Sequence, residues 1–239
     1  FSMEADSVNS VILTEQASDT AIDLFVREVF REMTSKAGQK CTAIRRAFVP
    51  RELLATVQER LIAKLQKVVV GNPELDQVTM GALASLKQKQ DVAAKVEQLS
   101  QEAQIVFGSH LRQDFSIQAD QPELGAFYPP TVLVCEQPEQ ASSLHQIEAF
   151  GPVVTLMAYD NLAQLAGLVA RGEGSLVASV VRDCEQNIEQ LIAKIAPWHG
   201  RVHVLDEESA KESTGHGSPL PHLVHGGPGR AGGGEELGG

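Results

Sequence analysis

The chain has 239 residues, of which 43% are hydrophobic and 21% charged, enough for one large or two small globular domains with a buried core. Its 20 Lys and Arg against 31 Asp and Glu leave a net charge of −11, the wrong sign for tracking phosphates, so nucleic acid is not expected as the main partner. No apolar run reaches the roughly 18 residues of a membrane-spanning helix, and no basic amphipathic stretch points to a membrane surface.

The opening FSMEADS lacks the basic and apolar segments of a signal peptide and does not begin with Met, while GGGEELGG breaks off abruptly. Both ends read as cut, and a fragment of a longer protein is expected. Cys41, Cys135 and Cys184 are too few and too scattered for a disulfide framework or a CxxC zinc site, which agrees with a reducing cytoplasm.

In chain order, VNSVIL reads as a strand. The stretch DLFVREVFREMTSKAG follows as a helix, with Phe25, Val29, Phe30 and Met33 at helical spacing, Asp19, Thr20 and Asp23 as N-terminal caps, and Gly38 as its end. AIRRAFVP is a strand closed by Pro50, and RELLATVQERLIAKLQ is a helix with Leu53, Val57, Leu61 and Leu65 on one face. VVVGNP is a short apolar run ended by a turn, and SLKQKQDVAAKVEQLSQEA a polar helix. Strands QIVFG, AFYPPTVLV, PVVTLMAY, SLVASVV and GRVHVLD follow, with helices NLAQLAGLVARG and NIEQLIAKIAP between the later ones. This alternation predicts an α/β fold, a three-layer domain with a mostly parallel sheet. After Asp206 the pattern dissolves into a Gly-, Pro-, Ser- and His-rich segment that is either mobile or draped over the rest.

Cys41 lies in AGQKCTAIRR, on a Gly-bearing loop before a strand and flanked by Lys36, Lys40, Arg45 and Arg46. Positive charge favours a thiolate, so Cys41 reads either as a nucleophile or as a small buried hydrophobe. Cys135 and Cys184 lack such surroundings and read as buried hydrophobes. Glu4 in MEADS and Glu148 in EAFGPV could each be an ordinary structural acid. His216, His222 and His225 match no metal-ligand spacing and read as solvent-exposed loop residues, so no metal site is assigned. Gly227, Gly229 and Gly232 spell GxGxxG, but Pro228, Gly233 and Gly234 oppose the helix that a dinucleotide fingerprint needs, and the motif is rejected.

MEADS, GQKCTA and EAFGPV, in this order along the chain and with the acid 37 residues ahead of the cysteine, resemble the aldehyde dehydrogenase superfamily, with secondary echoes in VGNP, Gly81 and FYPPTVL. MEADS, REMTSKAGQKCTAIRR and EESAKESTGHGSPLP are similar to the dehydrogenase half of the bifunctional ring-opening branch of phenylacetate degradation. That branch has Ala5-Asp6-Ser7 where most of the superfamily has Leu-Gly-Gly after its glutamate.

The resemblance implies Cys41 as nucleophile, its backbone N–H as an oxyanion donor and Glu4 as general base. It also implies Glu148 on the nicotinamide ribose and Phe150 against the nicotinamide of NAD or NADP. The implied substrate is an aldehyde, in this branch a CoA-linked semialdehyde, and the implied full-length protein is a homo-oligomer. By the same resemblance, residues 1–14 end the cofactor-binding domain, 15–205 form the catalytic domain, and 206–239 form a loop returning to the cleft. Most of the cofactor domain would lie before residue 1, so this chain alone is expected to be inactive. Two other readings stay open: a cysteine-dependent thioesterase or hydrolase, and a non-catalytic interaction or oligomerisation module.

Overall fold

The computed structural model describes residues 6–108, 117–218 and 225–232. The strands formed there are β1 (Ser10–Leu13), β2 (Arg46–Pro50), β3 (Val70–Gly71), β4 (Gln104–Phe107), β5 (Ile117–Gln118), β6 (Thr131–Cys135), β7 (Val153–Tyr159), β8 (Ser175–Val181) and β9 (His199–Leu205). The helices are α1 (Asp19–Thr34), α2 (Leu54–Leu65), α3 (Leu86–Leu99), α4 (Ser143–Gln146), α5 (Leu162–Ala170) and α6 (Glu189–Ile195).

Seven strands make one sheet in the order β4-β6-β7-β2-β1-β8-β9, and β3 pairs with β5 separately. Only β4 runs antiparallel to its neighbour in the large sheet. The β1-α1-β2 connection steps across the sheet in one direction, whereas β7-α5-β8 and β8-α6-β9 step in the other. Right-handed crossovers therefore put α1 on one face and α5 and α6 on the opposite face, which gives three layers. Covering both faces explains why β1, β2, β6, β7 and β8 are buried at every position and read as apolar runs instead of alternating ones.

The helices form where the apolar spacing places them, with shifted ends. Ser18, not Asp19, Thr20 or Asp23, caps α1, its hydroxyl accepting from the Ala21 N–H. The helix stops at Thr34, and Ser35–Gly38 is a separate tight turn. In α2 the buried stripe is Leu54, Val57, Leu61 and Leu65, while Leu53 falls in the turn ahead of the helix. No helix among the described residues is long and apolar enough to cross a membrane.

The described part of the segment after Asp206 packs against the sheet. Gly200 and Gly174 lie so close to the Gly226 and Pro228 carbonyls that a Cβ at either would overlap them. Arg230 holds Asp6 in an ion pair and also donates to the Gln146 carbonyl.

Burial also fixes the state of several histidines. His145 is bonded to the Pro138 carbonyl at 2.8 Å and His199 to the Ile195 carbonyl at 2.9 Å. Burial holds both rings down to about 4, and His203 and His216 are lowered for the same first reason. In the unfolded chain these rings titrate near the ordinary value of about 6.5. Their contribution to stability is therefore complete above that pH and is lost as the pH falls from 6.5 towards 4, where the unfolded chain binds more protons. The expected loss is about 1–3 kcal/mol for each of His145 and His199 across that window. Urea midpoints at pH 7.5, 6 and 5 should fall steadily, and His199→Asn should flatten the slope; an unchanged midpoint from 7.5 to 5 would contradict the buried neutral rings.

Candidate active site

Parallel strands β1, β2, β7, β8 and β9 all start at one end of the sheet, and the segments leading into them meet there. Residues 38–45 lead into β2, 7–9 into β1 and 148–152 into β7. Open α/β sheets usually bind ligands beyond the carboxyl ends of their strands, so this site sits on the opposite, amino side.

The approach to Cys41 is a turn in which Lys36, Ala37 and Gly38 take φ values of 52°, 51° and 69°. For the two L-residues this conformation costs about 1–2 kcal/mol each. Gly38 is needed there, because a Cβ would run into the Gly151 carbonyl. Beyond the turn Cys41 is exposed, not the small buried hydrophobe of the alternative reading.

Its backbone is held from below. The Asn9 amide, fully buried, donates to the carbonyls of Cys41 at 2.7 Å and Ala43 at 3.2 Å. The Asn9 Oδ1 accepts from Ser7 Oγ at 2.8 Å and Val177 N–H at 3.1 Å, so both ends of the amide are fixed. Lys40 meets the buried Glu32 at 2.7 Å, and burial, against the pull of Lys40, raises Glu32 above the usual carboxylate range.

Arg45 ties this loop to the turn ahead of β7. Its guanidinium donates to the carbonyls of Gly38 at 2.9 Å and Gly151 at 2.8 Å, and meets Glu148 Oε1 at 3.2 Å. The Phe150 ring covers it with 5.4 Å to the centroid. Glu148 Oε2 accepts from the Ser7 N–H at 3.0 Å. Burial raises the Glu148 carboxyl while Arg45 and the Ser7 N–H pull it back. Glu148 and Phe150, expected beside a cofactor, are thus both packed on Arg45, and Glu148 is 8% exposed.

The loop is closed from the far side by the segment after β9. His216, expected on the surface, is fully buried, with Nδ1 at 2.7 Å from Ser179 Oγ, its carbonyl accepting from Arg201 and Gly217 against Thr42. His225 sits half-buried with Nε2 at 3.7 Å from Cys41 Sγ. Gly227 and Gly232 bridge to each other around a single three-residue turn, Gly229–Ala231, which is not a dinucleotide fingerprint. Glu4 and His222 lie outside the described residues. Cys135 is buried, with its thiol pushed up by burial, but Cys184 is exposed, contrary to its reading as a buried hydrophobe.

Sequence reading gave no role to Asn9 or Ser7 and left His225 as a solvent-exposed loop residue, whereas it is half-buried beside Cys41. The placement of Ser7 and Asn9 on either side of Val8, just ahead of β1, was a usable signal for these two, since buried polar groups at a strand start need partners. His225 carries no local signal, being 184 residues from the cysteine it meets.

Fold and loop together define an α/β domain that presents one exposed cysteine on a rigid, cation-backed turn. A model of the aldehyde dehydrogenase family matches residues 1–235, and the chain belongs to that family. It is 39% identical over 230 residues to a 3,4-dehydroadipyl-CoA semialdehyde dehydrogenase of Aromatoleum evansii, covering 95% of this chain and 44% of the relative. It is 47% identical over 161 residues to protein MaoC of Klebsiella aerogenes, covering 67% and 46%. Aldehyde dehydrogenase C of Pseudomonas syringae, solved as a mutant with NAD+ and octanal, superposes with a TM-score of 0.75 at 27% identity over 99% of this chain and 44% of that one. A betaine aldehyde dehydrogenase of Staphylococcus aureus shares the fold with a TM-score of 0.80 at 22% identity, over 99% of this chain and 43% of that one. The chain spans a little under half the length of the curated relatives it matches.

Replacing Arg45 by Met would leave Glu148 as an unpaired buried charge, and we expect a loss of about 3–5 kcal/mol in unfolding free energy. Adding Glu148→Gln should restore part of that loss. Chemical denaturation of the two variants checks both numbers, and equal midpoints for the single and double variants would remove the pairing from the account.

Proposed function

We propose that Cys41 is the nucleophile of an NAD(P)-dependent aldehyde dehydrogenase acting on a CoA-linked semialdehyde. The observation that carries this reading is the exposed Cys41 on a loop clamped by Asn9 and Arg45, in a chain that matches a CoA-semialdehyde dehydrogenase over 95% of its length. In this reading residues 1–14 are the end of a cofactor-binding domain and the crossover from it, with β1 already laid into the catalytic sheet, 15–205 make up the rest of the catalytic domain, and 206–239 return to the cleft. The complete protein works in the cytoplasm as a homo-oligomer.

The cofactor is NAD or NADP, and Glu148 and Phe150 fit its nicotinamide end. A carboxylate offers about four acceptor positions, and Ser7 and Arg45 do not fill them, so the buried Glu148 is chemically suited to the paired hydroxyls of a ribose. The chemistry such a cofactor supplies is acceptance of a hydride. This chain's own part is different. Cys41 sulfur adds to the aldehyde carbon, and the Cys41 backbone N–H steadies the oxygen on which charge develops. Glu4 then deprotonates the water that frees the acyl group from sulfur. Asn9 and Arg45 hold the loop carbonyls, so the sulfur and the N–H keep their relative placement through both steps.

The test is aldehyde-dependent reduction of NAD+ and NADP+. The chain joined to a cofactor-binding half should turn over, and Cys41→Ala should lower its rate by about a thousandfold or more. Glu4→Gln should slow steady turnover while leaving the first-turnover burst. The isolated chain should give no NAD(P)H. Turnover by the isolated chain would overturn the division of the site between two domains, and full activity of Cys41→Ala would overturn the function.

A further inference from the structure

We propose that His225 is a further catalytic residue of this site, receiving the Cys41 thiol proton on Nε2 as sulfur attacks an electrophilic carbon. The inference deepens the reading of Cys41 as nucleophile and rests on it. Its first support is the 3.7 Å between His225 Nε2 and Cys41 Sγ, within reach of a sulfur–nitrogen hydrogen bond. Its second is that the fold holds the histidine in place. The residues just after it are anchored by the close packing of the Gly226 and Pro228 carbonyls on Gly200 and Gly174, and by the Arg230 ion pair with Asp6.

A third support is the commitment of the other charges around the loop. The buried carboxylates Glu32 and Glu148 are bound to Lys40 and Arg45 respectively. Behind Thr42 stand His216, already bonded to Ser179, and Arg201, bonded to the His216 carbonyl. An ordinary imidazole near 6.5 and thiol near 8.5 leave the transfer unfavourable by about a hundredfold in water. Attraction between the thiolate and imidazolium so formed works against that deficit.

The step balances without any further reagent. The S–H bond breaks, N–H forms on Nε2, and sulfur bonds to the aldehyde carbon while the carbonyl pair moves to oxygen. Return of the proton from the imidazolium to that oxygen completes a neutral thiohemiacetal and regenerates His225.

The experiment is alkylation of this chain by iodoacetamide between pH 5 and 10, read for each cysteine by peptide mass spectrometry, in the native sequence and in His225→Gln. Here sulfur displaces iodide and the same proton goes to Nε2. The native Cys41 profile should inflect below that of the exposed Cys184. His225→Gln should move it up to the Cys184 profile, slowing Cys41 about tenfold at pH 7 with no change at pH 10. Superimposed Cys41 profiles would overturn the proposal. Rapid labelling of the buried Cys135 would report a misfolded variant. The deciding measurement is then an NMR titration of the His225 ring in the native chain before and after Cys41 is alkylated. Blocking the thiol should move that titration, and an unmoved ring overturns the proposal. Loss of the dehydrogenase reading shows separately: a His225-dependent Cys41 profile without aldehyde oxidation in the completed enzyme upholds the pair and removes only the function.

Discussion

The Arg45 guanidinium is the point on which the site's geometry depends. It lies at the foot of the loop and binds two carbonyls of different segments, Gly38 and Gly151, together with the Glu148 carboxylate. A buried cation is expensive unless its donors are satisfied, and this arrangement of loop and turn satisfies them. The consequence is mutual: the turn ahead of β7 cannot shift without disturbing the turn ahead of Cys41. Gly38 can come that close to the Gly151 carbonyl because it carries no side chain at the contact.

This explains why the site can sit at the amino ends of the strands. Loops there have no helix N-terminus built in to orient a ligand, so order must come from side chains reaching up from the sheet. Asn9 and Arg45 do this from the starts of β1 and β2, using backbone carbonyls as handles. The left-handed Lys36 and Ala37 are tolerated because these bonds over-determine the loop. An exposed thiol on a stiff support is the result, and stiffness matters for a nucleophile whose attack distance must be held.

Much of this was legible in the sequence, and the limits have physical causes. Apolar runs located the strands because a sheet covered on both faces needs them, and the spacing of Leu61 and Leu65 located α2. Boundaries moved where side-chain bonds decided them: the Ser18 cap lengthened α1 at its start, and the break at Ser35 shortened it at its end. Cys41, Glu148 and Phe150 could be singled out as candidates because each lies in a short local motif. Asn9 was not, since an Asn before a strand looks the same whether it is solvated or clamps a distant carbonyl. Cys184 was misread as buried because a short turn after β8 leaves it outside the core.

The histidines show most clearly how tertiary placement, not residue type, assigns a role. His216 and His225 lie nine residues apart in a segment whose composition is uniformly that of a loop. One is fully enclosed between Ser179 and the back of the Cys41 loop, where burial keeps the ring neutral and its bonds structural. The other stops half-buried at the sulfur itself. What separates them is the course of the chain over β8 and β9, set by glycines that let backbone lie on backbone at Gly174 and Gly200. Those contacts have no signature beyond glycine content, which in a sequence reads as mobility. In the folded chain the same glycines permit close packing, and the packing brings an imidazole to a thiol that no local motif connects with it.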